Sequence, residues 1–455
     1  MGGTYHQEGD YLIPNLALPD EPEYQIGKYG RMRRSYLKEH RPVLYANYLT
    51  SGTLHWHLAE IDQACNERME IIVSAMAKRE DVTETLKASD QMEWVRRMNS
   101  IRNRAEEIVL GWACAGVYIP LYFYRKYGDD RLLRAYYDGM LRYADFMIRR
   151  AGKWGGVYAK PMHLSHKNRK YAVNCGQSYG EWAEPNDVMA FQWYDFAAPH
   201  PEESTAYTYF TLKRVLEAAE ILGKPETPQL KRIREYSEGA RRAYQELVTK
   251  EKFTLDTDRQ AKLVRPLYMG LLTEEQTKFA EKRLIQAMEH YGWRLGTGFL
   301  STPLILDVLA ELDISYAYRL LENEEMPGWL FMPKSGATTI WEAWEGNTTK
   351  DKGIASLNHY SKGAACEWLT NTMCGIRLDG ENRFVLAPRP GGSITFARAS
   401  YQSVYGSVKT DWAETETGYR LAVTIPANTT AEVILPDGSR RTAEAGTHQY
   451  EWKKA

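Results

Sequence analysis

The sequence predicts a mainly α-helical chain: a helical N-terminal segment, then an all-α toroid or bundle, then a small antiparallel β-sandwich. Three observations predict it. Between residues 109 and 376 amphipathic runs follow one another as hairpins, with no strand runs among them. From about residue 377 the pattern switches to alternation, in Tyr419, Leu421, Val423, Ile425 and again in Ala431, Val433, Leu435. Before residue 109, Leu54, Leu58, Ile61, Ala64 and Ile71 and then Val82, Leu86, Met92, Val95, Met98 and Ile101 recur at helical spacing. The expected parts are therefore 1–108, 109–376 and 377–455.

The first part opens with a Pro-rich extended stretch, Leu12–Pro22, and a polar helical pattern from about Arg33. In the second, helices are expected over Ala115–Tyr127, Arg131–Arg150, Thr205–Leu222, Pro228–Val248, Gln260–Leu272, Glu274–His290, Pro303–Leu312, Ser315–Glu322 and Ala355–Cys374, punctuated by Gly and Pro pairs. In the third, Pro436-Asp437-Gly438 supplies a hairpin turn. The uncharged stretch Ile108–Tyr124 is interrupted by Gly111, Gly116 and Pro120 and reads as a buried core helix rather than a membrane span.

Composition narrows the function. With 58 Lys+Arg against 59 Asp+Glu the net charge is -1, which gives no strong nucleic-acid signal. Five cysteines, an odd count without CxxC spacing, argue against a disulfide framework and a structural zinc site. His55 and His57, two apart on a helix, diverge and share no metal. The N-terminus lacks a basic region followed by an apolar run, so a cytoplasmic location is expected. No Walker loop, dinucleotide fingerprint, HExxH or GxSxG string occurs, and neither cofactor nor metal is implied.

Aromatic residues make up 12% of the chain, with 13 Trp and 31 Tyr, and they crowd around carboxylates in two places. In GATTIWEAWEG, Glu342 lies between Trp341 and Trp344, where indole rings would desolvate it and suit it to acid/base work. In YGEWAEPND, Glu181 and Glu184 flank Trp182 in a loop bounded by Gly180 and Pro185. The bland readings are a surface Glu in an aromatic loop and a pair of helix-capping carboxylates. His359, in LNHY, could meet a sugar hydroxyl or orient a carboxylate, and Trp112 could be a stacking platform or a core residue. Paired carboxylates beside Trp platforms fit glycoside hydrolysis.

Seven strings, in order, carry a resemblance: GWACAGVYIPLYFYRKYGD, YGEWAEP, STAYTYFTLKRVLEAAEILGK, GTGFLSTPLILDVL, PGWLFMPKSGATTIWEAWEG, LNHYSKGAACEWLTNTMCGI and LAPRPGGSITFARASYQSVYG. From about Gly111 to the C-terminus the chain resembles the α-L-rhamnosidases of glycoside hydrolase family 78. The resemblance implies an incomplete (α/α)6 six-hairpin barrel followed by the β-sandwich, and inverting hydrolysis of terminal α-L-rhamnosides without a metal. It makes Glu342 the general base and Trp112, Glu181, Trp182, Trp344 and His359 substrate-binding residues. Many members carry Asp at the position of Glu181, and a Gly-Asp pair where this chain has Ala113-Cys114. The family's general-acid motif, similar to DCPQRERLGWTGD, is not found upstream of Gly111, which implies impaired activity with Glu184 as a possible substitute acid.

Upstream, TYHQEGDYLIPNLALPDE, IGKYGRMRRSYLKEHR, LTSGTLHWHLAEID and QMEWVRRMNSIRNRAEEIV resemble TnpV proteins encoded on transposons, over about Gly3–Val109. The two resemblances meet at Ile108–Gly111, as in a fusion. Two other readings follow: a non-catalytic rhamnoside-binding relic, or a transposon-encoded accessory protein.

Overall fold

A computed structural model describes residues 5–8, 11–14, scattered positions from 24 to 38, 42–63, 114–155, 162–175, 180–189, 199–250, 253–346, 356–380 and 383–453. The chain divides into two compact units, Met1–Glu107 and Ile108–Ala455. The second unit holds both the helical part and the sandwich.

In the first unit, strands β1 (Tyr5–Glu8) and β2 (Tyr11–Pro14) pair as an antiparallel hairpin, so the expected extended stretch begins as a strand. Helix α1 (Pro42–Thr50) precedes a helical run over 54–63. Leu37, Leu54 and Leu58 form a small core against Tyr45 and Tyr48. His57 stacks on Tyr48 at 4.5 Å and accepts from Arg33 Nε, so burial and Arg33 hold it below its ordinary pKa. His57 is thus accounted for by local packing.

The second unit is built from helical hairpins. Helices α2 (Ala115–Tyr127) and α3 (Arg131–Arg150) form the first; α4 (Pro201–Ile221) and α5 (Pro228–Leu247) the next; α6 (Gln260–Met269) with α7 (Glu274–His290) and α8 (Thr302–Leu312) with α9 (Ile314–Leu321) follow. The two partners differ in burial. Helix α3 buries one stripe, Leu133, Tyr137, Met140, Ala144, Met147 and Ile148, whereas α4 buries every residue from Pro201 to Tyr209. The even-numbered helices α2, α4, α6 and α8 pack on one another in sequence as an inner layer, and α3, α5, α7 and α9 lie outside them. Local signals set the ends. Thr273 and Gln276 form a capping box at the start of α7, and Gly270, at φ 66°, closes α6. Helix α4 starts at Pro201 rather than at the expected Thr205, because Pro is preorganised for a first helical position.

One expected helix is broken. The prediction ran over Ala355–Cys374; Ala355 lies outside the described residues, and 356–361 are not helical. There the backbone turns instead to residues 339–342: Glu342 N–H donates to the Ser356 carbonyl at 2.8 Å, and His359 N–H to that of Ile340 at 2.8 Å. Those bonds compete with helix formation. Helix resumes as a 3-10 turn at Lys362–Ala364, continues as α10 (Ala365–Trp368), and widens to a π-turn at Leu369–Met373. Helix α10 packs on α8 as a fifth inner element. Tyr122 on α2 donates to Glu367 Oε1 on α10 at 2.9 Å, linking the first described inner helix to the last.

Between α3 and α4 a short parallel pair forms, β3 (Trp154–Gly155) with β4 (Asn174–Cys175), and after α10 two four-stranded sheets follow. One has order β11-β10-β6-β5, with β5 (Ile376–Leu378), β6 (Arg383–Leu386), β10 (Thr430–Ile434) and β11 (Arg440–Ala443). The other has order β12-β9-β8-β7, with β7 (Phe396–Ser403), β8 (Gly406–Glu414), β9 (Gly418–Ile425) and β12 (Gly446–Lys453). Within these two sheets the pairs are antiparallel except β6 with β10, which the intervening strands bring together in parallel. The predicted alternation is the burial alternation: Leu421, Val423, Ile425, Ala431 and Val433 face the core. Trp412 Nε1 donates to the Met373 carbonyl at 2.9 Å and Thr410 Oγ1 to that of Cys374 at 2.8 Å, so β8 is bonded to the end of the helical part. No described helix is long and apolar enough to cross a membrane.

Burial, with Glu367 and Glu311 nearby, pushes Asp307 on α8 up to about 6. Below about pH 4 this acid is protonated whether the chain is folded or not, and above about pH 6 the folded chain carries a disfavoured charge. It therefore lowers stability as pH rises between those values. Asp307→Asn is expected to raise the melting temperature at pH 8, by the equivalent of about 1 kcal/mol or less given its exposure, with a smaller gain at pH 4.5. Calorimetry checks this; a lower melting temperature at pH 8 would show the carboxylate to be stabilising.

Candidate active site

The loop 336–346 is shaped by its rings. Trp341 and Trp344 are each 2% exposed. Gly346 has φ 52°, and a Cβ there would sit 2.0 Å from the Trp341 ring, so only glycine fits. Between the two indoles Glu342 stays half-buried, and its Oε2 accepts from Ser356 N–H at 2.8 Å. With the Glu342 N–H bond to the Ser356 carbonyl, this makes a two-point clamp between the two segments. Thr339 Oγ1 donates to the Leu357 carbonyl and extends it.

Under this clamp lies a residue with no surface at all. Lys362 is 0% exposed, its Nζ donates to the Glu342 carbonyl at 2.6 Å, and it sits 3.7 Å from the centroid of the Trp344 ring. Burial pulls its ammonium down to about 7, against the opposing pull of Glu345 and Glu342.

His359 stands between two rings, Phe299 at 4.6 Å and Tyr360 at 5.1 Å. Its Nδ1 accepts from Ser361 N–H at 3.3 Å and lies 3.0 Å from Ser361 Oγ. Acceptance at Nδ1 places the ring proton on Nε2. Burial lowers its pKa, Lys362 adds to this, and Glu342 opposes it, which favours the neutral ring.

The second loop, 180–189, meets the first through Phe299. Phe299 N–H donates to the Trp182 carbonyl at 2.8 Å. Gly298 makes the approach possible: a Cβ there would meet the carbonyl oxygens of Glu181 at 2.2 Å and Trp182 at 2.3 Å. The loop turns through two left-handed residues, Gly180 at φ 60° and Ala183 at φ 59°. Glu181 is buried and fully engaged. Its Oε1 accepts from Ser301 N–H at 2.6 Å; its Oε2 accepts from Ser301 Oγ at 2.9 Å and from Arg265 Nη2 at 2.5 Å. Arg265 in turn donates through Nη1 to Glu202 at 2.7 Å, and Tyr244 Oη donates to Glu202 at 2.6 Å. Glu184 receives Arg259 in a fork, Nε at 2.8 Å and Nη2 beside it. Burial pushes the Glu184 carboxyl up, and Arg259 opposes this.

The structure thus links His359 to the Trp182 backbone through Phe299, and His359 to the Glu342 loop through Ile340. It corrects two expectations. Trp344 offers no open face for a sugar, because it is buried with Lys362 against its ring. Glu181 likewise faces Arg265 and Ser301 rather than an open cleft. Glu184 is turned to Arg259. Trp112 lies outside the described residues. Sequence reading missed Phe299, Ser301, Arg259, Arg265 and Lys362. The GTGF string that makes the close approach was its one visible trace.

Comparison with known proteins places this geometry. Residues 92–373 match the family described as the bacterial alpha-L-rhamnosidase 6 hairpin glycosidase domain, and residues 379–450 match the bacterial alpha-L-rhamnosidase C-terminal domain. Residues 4–111 match the transposon-encoded protein TnpV. An alpha-L-rhamnosidase of Streptomyces avermitilis is 32% identical over 72% of this chain and 30% of its own length. One of Formosa agariphila is 29% identical over 75% of this chain and 35% of its own. The chain thus spans about a third of the length of these curated relatives. Among solved structures, the Streptomyces avermitilis enzyme complexed with L-rhamnose superposes with a TM-score of 0.61 at 28% identity, covering 74% of this chain and 32% of that one. The Aspergillus terreus α-L-rhamnosidase shares the fold, with a TM-score of 0.62 at 24% identity, covering 75% of this chain and 39% of that one.

Two substitutions test the frame of the site by urea unfolding at pH 7. Arg265→Met leaves Glu181 and Glu202 buried without their cation and is expected to cost about 3–5 kcal/mol. Gly298→Ala forces the 181–182 backbone away and should cost about 1–3 kcal/mol. Midpoints equal to wild type in either variant would mean that the loops are not held as described.

Proposed function

Because the chain belongs to the bacterial alpha-L-rhamnosidase 6 hairpin glycosidase family, we propose that its Glu342 site takes a terminal α-L-rhamnosyl unit and hydrolyses it slowly, with inversion. The observation that carries this reading is the setting of Glu342. One carboxylate oxygen is held by Ser356 N–H, and among the described residues no hydrogen bond takes Oε1. A fixed carboxylate with one oxygen to spare can accept the proton of an attacking water. His359, neutral with its proton on Nε2, is a donor for a sugar hydroxyl beside that base. Trp182, half-buried, supplies apolar surface for a deoxysugar face. Glu181 and Trp344 support the site from beneath. That the Streptomyces avermitilis relative was solved with L-rhamnose supports the choice of sugar.

Slowness follows from the second half of the reaction. Inversion needs a carboxylic acid about 6.5–9.5 Å from the base to protonate the leaving oxygen. The family's acid motif is not among these 455 residues, and Glu184, the substitute on offer, has both oxygens facing Arg259. Loss of general-acid assistance costs about 10²–10⁴-fold in rate. The same arginine pairing favours one further reading, a rhamnoside-binding protein without turnover.

The test is release of p-nitrophenol from p-nitrophenyl α-L-rhamnoside, beside calorimetric binding of L-rhamnose. Slow release, at least about 10²-fold lower in Glu342→Gln with sugar binding retained, is the expected result. Binding with no release would select the non-catalytic reading. Release unchanged in Glu342→Gln, or neither binding nor release, would overturn the assignment.

A further inference from the structure

Lys362 is the feature of this site that stability does not explain. Its ammonium has no solvent contact, one hydrogen bond to a neutral carbonyl, and a ring against it. Burying such a charge is unfavourable, and an apolar side chain of similar length would fill the space without that cost. The position therefore calls for a reason other than packing.

The contacts supply one. The carbonyl that Nζ holds belongs to Glu342 itself, and the ring under it belongs to Trp344, two residues on. The Lys362 carbonyl accepts from Trp329 Nε1 at 2.8 Å, which anchors the lysine backbone from the other side. Around the ammonium stand Glu342 and Glu345 from the loop, Phe299 from the adjoining strand of chain at 6.0 Å, and His359, whose pKa it lowers. We propose that Lys362 is a positioning residue for the general base: its buried ammonium, bonded to the Glu342 carbonyl and seated on the Trp344 ring, locks the turn that aims the Glu342 carboxylate. The catalytic part of this proposal rests on the hydrolase reading above; the lock itself does not.

A proton balance separates this role from a structural one. The folded chain releases the Lys362 proton near pH 7, the unfolded chain only near about 10.4. Below pH 7 the ammonium is thus a burden on stability, relieved as pH rises. Removing it should leave the fold as stable or more so at pH 6, while loosening the base. Activity should carry an alkaline limb near pH 7, where the lock loses its charge.

The test uses the full chain labelled with 5-fluorotryptophan, with the Trp344 signal assigned by Trp344→Phe. In wild type that fluorine resonance is expected to shift through a transition near pH 7, and in Lys362→Met to show none. Turnover of p-nitrophenyl α-L-rhamnoside by Lys362→Met should fall about tenfold in kcat with KM within about twofold, at an unchanged or higher melting temperature at pH 6. Lys362→Arg, which keeps the charge, should retain most of the turnover and move the alkaline limb above pH 9; it also serves if the Met variant does not fold. A fluorine transition that persists in Lys362→Met, or undiminished kcat, overturns the proposal. A wild-type chain without turnover sinks the hydrolase reading alone, and the fluorine titration still decides the lock: present, it stands; absent, it falls.

Discussion

A buried guanidinium holds this architecture together. Arg265 comes from α6, Glu202 from the first turn of α4, and Glu181 from the loop before α4, while Ser301 at the start of α8 binds the same Glu181 carboxylate. Three inner helices and one site loop thus converge on a single cation. Arg265 is 2% exposed, so its desolvation must be offset by its partners, and two carboxylates do so. Burial alone would push Glu202 up, but Arg265, Lys262 and Tyr244 hold it below the ordinary carboxylate range. Such a cluster is intolerant: each member is paid for only by the others being present.

From that anchor the site follows by short steps. Glu181 fixes the loop, Gly298 lets the neighbouring backbone touch it, and Phe299 carries the contact to His359. His359 N–H pairs with Ile340, two residues before Glu342. The break in the predicted helix at 356–361 belongs to the same design, because a helix there would withdraw both Ser356 and His359 from Glu342. A local loss of helical bonds is compensated by cross-loop bonds, with the backbone satisfied either way.

Much of this was legible in the sequence, and the divide follows range. The capping box at Thr273 and Gln276, the stripe of α3 and the alternation of β9 rest on neighbours within a few residues, so pattern reveals them. Glu342 and His359 stand out in the sequence because each sits in a compact motif. Arg265 with Glu181 spans 84 residues of sequence, and Arg259 with Glu184 spans 75, and no periodicity encodes such pairs. The burial of Trp344 and Glu181 was not legible for the complementary reason: residue type indicates which groups can bind a sugar, but not which side of the loop they face. Lys362 was invisible because a lysine among small residues reads as solvated surface.

Three carboxylates gather around this site, and their partners divide the work. Glu181 and Glu184 each face an arginine, Glu184 through a fork, and those pairings tie their oxygens to the fold. Glu342 is held instead through one backbone amide, with no arginine on it among the described residues, which orients it without occupying both oxygens. Inverting hydrolysis asks for one carboxylate that takes a proton and one acid that gives it. On the reading proposed above, Glu342 takes the first role, and the other two carboxylates serve as structural ties. On that reading, orienting a sugar asks only for the contacts around Glu342, whereas turnover also asks for an acid that reaches the leaving group.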